Sequence, residues 1–184
     1  MTRFIAFLRA INVGGHIVKM EALRGHFEAL GLKDVETFIA SGNVIFASSS
    51  RDAGALERRI EDHLRTSLGY EVKTFIRTEP ELAAVAQYKP FKALQLASAA
   101  ALNVGFLAGP LTADAGKSLM ALKTEIDDFH VNGREVYWLL HRKKQSESTF
   151  SNVRFEKLIQ ASITFRGINT VTKLAANYVR SSPS

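Results

Sequence analysis

Residues 35–77 read VETFIASGNVIFASSSRDAGALERRIEDHLRTSLGYEVKTFIR, and the order of patterns within them decides the fold. Two short runs rich in β-branched and aromatic residues, 35–40 and 43–47, flank Ser41 and Gly42, which marks a tight hairpin. Leu56, Ile60 and Leu64 then recur at helical spacing up to Gly69, which is placed to stop the helix in the left-handed conformation. Residues 72–77 form a further strand. The segment therefore reads strand, strand, helix, strand.

Extending this toward the N-terminus supplies the missing first strand and helix. Residues 3–9 (RFIAFLR) are apolar on both alternating faces, as in a strand covered on two sides. A turn-rich stretch around Asn12, Gly14 and Gly15 follows. Met20, Leu23, Phe27 and Leu30 then form the apolar stripe of a helix closed by Gly31. On the C-terminal side Thr78 and Glu81 have capping-box spacing, which predicts a short helix over 81–87.

The same order recurs in the second half. Residues 102–107 read as a strand and 112–123 as a helix; 125–131 and 135–140 form a hairpin turning on Asn132-Gly133, a strong two-residue turn signal. A helix over 153–160, a short strand over 163–165 and a closing helix over 170–178 complete it. The expectation is an α+β protein of two consecutive ferredoxin-like βαββαβ subdomains, 1–91 and 92–184, with mainly antiparallel sheets packed together. Each such unit leaves one sheet face open, yet residues 4–8 and 136–140 are apolar on both faces. The open faces are therefore expected to be covered, either by each other or across a homodimer.

Composition is that of an ordinary globular protein, with 46% hydrophobic and 23% charged residues in 184. Cysteine is absent, which removes disulfides, thiolate metal sites and cysteine nucleophiles together, and no secretory signal pattern opens the chain. A cytoplasmic location is the expectation. Residues 93–113 carry no charge, but their Gln, Ser, Asn, Gly and Pro content reads as a small-residue connector and buried strand, not a membrane span. The excess of basic residues lies beyond residue 140, where eight Lys and Arg face two Asp and Glu. This points weakly to an anionic partner, and equally well describes a solvated basic surface.

Topology makes a statement about a site. In a βαββαβ unit the loop after the first strand and the hairpin between the second and third strands lie at the same end. Arg9, Asn12, Gly14 and Gly15 should therefore approach Ser41, Gly42 and Asn43. The glycines lead toward the first helix, whose N-terminal end favours an anion, and Lys19 adds charge. The expectation is a phosphate, nucleotide or acidic-metabolite site, with the protein a small-ligand binder and an enzymatic role left open. The competing reading is structural: the glycines supply positive φ, and Asn12 and Asn43 close turns. The loop matches neither a Walker loop nor a dinucleotide fingerprint.

Other chemistry finds less support. The five histidines show no metal-ligand spacing, so no metal site is expected; His26 and His63 read as surface residues of the helices. Glu61-Asp62 and Asp127-Asp128 are adjacent pairs pointing in different directions, unsuited to acid/base work. No serine elbow is present, no catalytic set can be named, and no cofactor is implied. The alternative function is a nucleic-acid or protein interaction module using Arg142, Lys143 and Lys144; the third strand of the first half lacks the aromatic pattern of an RNA recognition motif.

Residues 8–15 (LRAINVGG), 18–20 (VKM), Asp34-Val35, 37–39 (TFI) and 41–44 (SGNV) together resemble the bacterial family termed domain of unknown function 1697. Later segments resemble it less fully. Pro90-Phe91 fits an Asn-Pro-Phe step with Lys89 replacing Asn, and 148–152 (STFSN) fits Ser-Lys-Phe-Ser-Asn with Thr149 replacing Lys. Thr164, Arg166, Asn169, Thr170 and Lys173-Leu174 fit its Thr-x-Arg-Asn-Trp-Asn-Thr element, with Gly167 and Ile168 replacing Asn and Trp. The resemblance implies two ferredoxin-like subdomains and brings no activity, substrate or cofactor.

Overall fold

The computed structural model describes residues 1–12, 14–39, 42–141 and 151–180. The chain divides into two units, one comprising Met1–Ala84 with the chain from Leu174 onward, the other Val85–Lys173.

In the first unit β1 (Thr2–Leu8), α1 (Met20–Ala29), β2 (Lys33–Thr37), β3 (Asn43–Ser48), α2 (Ala53–Leu68) and β4 (Thr74–Thr78) build a sheet ordered β2-β3-β1-β4, with every pair antiparallel. The alternate residues Phe4, Ala6 and Leu8 of β1 meet Val44 and Phe46 of β3 and Ile76 of β4. Leu23 and Phe27 of α1 and Leu56, Ile60 and Leu64 of α2 close the core from one side. The second face is buried too: Ile5, Phe7, Ile45 and Phe75 are each 2% exposed or less. At its margin the end of the chain returns, where Arg3 donates to the Tyr178 carbonyl at 3.3 Å and pairs with Glu79 at 3.5 Å.

Local signals explain where the helices begin and end. Asp52 caps α2 by accepting from the Ala55 amide at 2.9 Å, and Gly69 ends it at φ 83°. The capping box forms as its spacing requires: Glu81 accepts from the Thr78 amide at 2.8 Å and Thr78 Oγ1 from the Glu81 amide at 3.4 Å, opening α3 (Glu79–Gln87). The strand expected over 35–40 instead spans Lys33–Thr37, because Ile39 turns into the left-handed region at φ 59° and cannot continue a pleat.

The second unit contains α4 (Ala93–Ala97), β5 (Ala99–Phe106), α5 (Ala113–Met120), β6 (Asp127–Asn132), β7 (Glu135–His141), α6 (Asn152–Ile159), β8 (Thr164–Gly167) and the start of α7 (Ile168–Tyr178). Its sheet order, β6-β7-β5-β8, repeats that of the first unit, again with antiparallel pairs. The fold is thus mixed α+β, two ferredoxin-like subdomains in one chain. Leu119, Phe129, Val136, Phe155, Ile159 and Ile163 form the core. Gly105 makes that packing feasible, since a Cβ there would sit 2.5 Å from Ile163 Cδ1 and 2.7 Å from Phe165 Cε1.

Two local expectations shift. Residues 93–97, expected as connector, form α4 because Gln95 accepts from the Lys92 amide at 2.9 Å and opens a helical turn. Asn132 is still paired with Glu135, so the hairpin turns on Gly133 and Arg134, with Gly133 at φ 58°. Among the described residues no helix is long and apolar enough to cross a membrane.

Candidate functional site

The loop after β1 and the β2–β3 hairpin meet at the end of the first sheet. The Leu8 amide donates to the Gly42 carbonyl at 2.8 Å, and Gly42 is so close that a Cβ on it would lie 2.9 Å from Ile11 Cγ2 and 3.1 Å from Leu8 Cβ. Gly42 also takes φ 82°, so the position needs glycine for its dihedral and for its space. Ala10 at φ 56° and Ile39 at φ 59° flank the junction, a concentration of left-handed backbone outside glycine.

Side chains then hold the two loops. Asn43 is fully buried and donates to the Phe38 carbonyl at 2.8 Å, while Phe38 N donates to the Asn43 carbonyl at 3.0 Å; Asn43 shapes the hairpin. Asn12 Oδ1 accepts from the Val18 amide at 2.7 Å and folds the loop back on itself. Tyr70, just past α2, donates to the Ile11 carbonyl at 2.8 Å, and its ring stacks on His16 at 4.0 Å between centroids. Burial raises the Tyr70 phenol pKa, which keeps that donor protonated. Nothing in the sequence signals the part played by Tyr70 and His16, because the contact joins two loops far apart in the chain.

Around this framework Arg9 is half-buried and Lys19, Gly14 and Gly15 are exposed. A Cβ on either glycine would meet nothing within 4 Å. Lys19 is the N-cap residue of α1 and its side chain makes no capping hydrogen bond. Helix α1 starts at Met20, so Gly14 and Gly15 precede its first turn instead of forming it. Ser41 lies outside the described residues, as do Arg142, Lys143 and Lys144.

His26 and His63, expected on the surface, instead face each other between α1 and α2, with Nδ1 and Nε2 3.2 Å apart. The helices lie side by side on one sheet face, so their flanking side chains meet. No third metal-ligating group joins them among the described residues. Desolvation, and then the charge of His63, holds the His26 pKa below its ordinary 6.5. A pKa depressed in the folded state stabilises the fold above the unfolded value, and that stability drains as pH falls from 6.5 through the folded value. Urea unfolding midpoints should therefore decline between about pH 7 and pH 5, and His26→Gln should flatten that slope. An unchanged slope in His26→Gln would assign the pH dependence elsewhere.

The duplication also sets two arginines in equivalent places. Arg77 of β4 lies opposite Ile5 in the first sheet, and Arg166 of β8 opposite Val104 in the second. They are 1% and 7% exposed, and each donates Nη1 to the carbonyl before it at 2.9 Å. Burial lowers the Arg166 pKa to about 10, so it stays protonated at neutral pH. Residue patterns do not reveal this, because a strand arginine is ordinarily read as exposed.

A cleft of about 310 Å³ lies within the second unit. Lys89, Pro90, Phe91, Ile168 and Asn169 are on its walls, so two stretches that the family resemblance singled out converge there.

Fold and loops together define a duplicated ferredoxin-like protein with a glycine-bearing loop cluster on its first unit. The chain belongs to the family described as a protein of unknown function, DUF1697, whose model matches residues 1–137. The matched region holds the loop cluster, and the segments 148–152 and 164–174 lie beyond it. The chain is also similar to the conserved bacterial protein SP0830 from Streptococcus pneumoniae, with a TM-score of 0.75 at 22% identity, covering 95% of this chain and 97% of that one. That likeness is one of fold. No curated protein matches the chain.

Proposed function

We propose that this protein binds a small anion, of the phosphate, nucleotide or acidic-metabolite kind, at the loop cluster beyond β1. The observation that supports the reading is the seating of Gly42 against Leu8 and Ile11, which joins the β2–β3 hairpin to the loop that leads into α1. Arg9 and Lys19 supply the charge and the Gly14 and Gly15 amides supply donors. Asn12, Gly42 and Asn43 hold the loops in shape, and Ser41 precedes Gly42 in the sequence. A charged hydrogen bond to a bound anion contributes about 1.5 to 3 kcal/mol, roughly one to two powers of ten in affinity. The chain has no cysteine, which suits a cytoplasmic protein working on a soluble ligand.

Calorimetric titration with inorganic phosphate and with nucleoside mono- and diphosphates tests this. Wild type should bind, and Arg9→Ala and Lys19→Ala should each weaken binding about tenfold or more. Equal affinity in all three, or no heat in any, overturns the reading. RNA retention that falls with salt, survives Arg9→Ala and disappears when Arg142, Lys143 and Lys144 are neutralised would instead favour a nucleic-acid surface.

A further inference from the structure

The cleft of the second unit has a chemistry distinct from that of the loop cluster. One wall is the connector after α3, with Phe91 buried at its base and Lys89 exposed at its rim. Leu96 of α4, 37% exposed, and Ile168 at the start of α7 add apolar surface, and Asn169 adds an amide. Among the described lining residues Lys89 is the one cation, and no carboxylate occurs. The Tyr88 hydroxyl is already engaged, 2.7 Å from His130 Nε2.

The remaining wall is the first half of β5. Strand β8 pairs with β5 only from Asn103 to Phe106, whereas β7 pairs along β5 from Ala99. Residues 99–102 therefore have a strand partner on one side alone among the described residues, and their other edge runs along the cleft. Such an edge offers alternating main-chain donors and acceptors. All four residues are half-buried.

We propose that this cleft is a second binding site, for a small organic monoanion whose apolar body lies against Phe91, Leu96, Leu102 and Ile168 and whose acidic group meets Lys89. Its volume is at the lower end of small-ligand pockets, about 300 to 1,000 Å³, and a mostly apolar lining with a few polar groups is their usual composition. Among the described lining residues the single cation matches one negative charge, and none of them is a carboxylate that would repel it. The strand edge takes up the ligand's remaining polar atoms. A free acid and the carboxylate end of a short peptide share this chemistry.

Hexanoate and phenylacetate, their neutral amides, and a short peptide with an apolar C-terminal residue serve as probes, read by amide chemical-shift perturbation on the full chain. The acids should shift Tyr88, Phe91, residues 99–102 and Asn169, and the amides should bind more weakly. Lys89→Gln, at an exposed position, should lower affinity for the acids about tenfold and leave the amides unchanged. Ala100→Trp should block all of them, with thermal unfolding checking that the variant is folded. A peptide that binds more tightly than the free acids identifies a chain terminus as the occupant, and the reverse order a metabolite. Shifts at Arg9 and Lys19 instead of the cleft, no shifts at all, or equal losses for acids and amides in Lys89→Gln would overturn the proposal. Because the readout is site by site, failure here and failure of the loop-cluster reading are separately visible.

Discussion

Phe46→Ala is expected to destabilise the protein by about 3 to 5 kcal/mol, the usual range for removing a buried aromatic ring from a core. Phe46 is fully buried on β3, opposite Phe4 of the central strand. Its ring lies 5.6 Å from that of Phe4 and 5.6 Å from that of Phe27, so it joins the sheet to α1. The truncation removes dispersion contacts on both sides and leaves a void between a sheet and a helix that are fixed by other contacts, which limits collapse into the space. Chemical denaturation should show a lower midpoint with an unchanged slope. Ile17→Ala, at a side chain 85% exposed, is the matched control and should fall within about 0.5 kcal/mol of wild type. A loss below about 1 kcal/mol in Phe46→Ala would mean that the core repacks around the site.

Gly42→Val is the second large effect. A β-branched residue at φ 82° carries a dihedral penalty of about 1 to 2 kcal/mol, and overpacking adds roughly 1 to 3 kcal/mol more. The overpacking arises because the new Cβ would sit 2.9 Å from Ile11 Cγ2, and Ile11 is itself 3% exposed and unable to swing into solvent. Gly15 separates the two contributions. It has nearly the same dihedral, φ 83°, but open space where its Cβ would go, so Gly15→Ala should show the dihedral penalty alone. Gly42→Ala should therefore exceed Gly15→Ala by the packing contribution in the same denaturation measurement. Equal losses would show that the hairpin yields to the methyl group. In Gly42→Val the affinity for the proposed anion should also fall, since the hairpin can no longer seat against Leu8 and Ile11.

Much of the architecture was legible because it is local. Period-two and helical spacing identified the strands and helices of both units, and the Thr78–Glu81 box and Gly69 stop formed as their spacing requires. Topology places the loop after β1 and the β2–β3 hairpin at the same end of the sheet, and Leu8 is hydrogen-bonded to Gly42 at that end. What spacing misjudged was also local in origin: it extended a strand through Ile39, whose left-handed conformation no propensity announces, and it missed α4, whose five residues are too few to show a period.

The amino-acid order alone determined the duplicated strand and helix pattern, the helix ends and the two glycine-bearing loops, because each depends on residues a few positions apart. Tertiary structure alone decided that His26 faces His63, that Tyr70 braces the Ile11 loop, that Arg77 and Arg166 are buried at matching registers, and that residues 88–91 and 168–169 share a cleft. The physical reason is common to all four. Contacts between distant segments are set by strand order, register and helix packing, and one side chain cannot signal which partner those long-range constraints will bring to it.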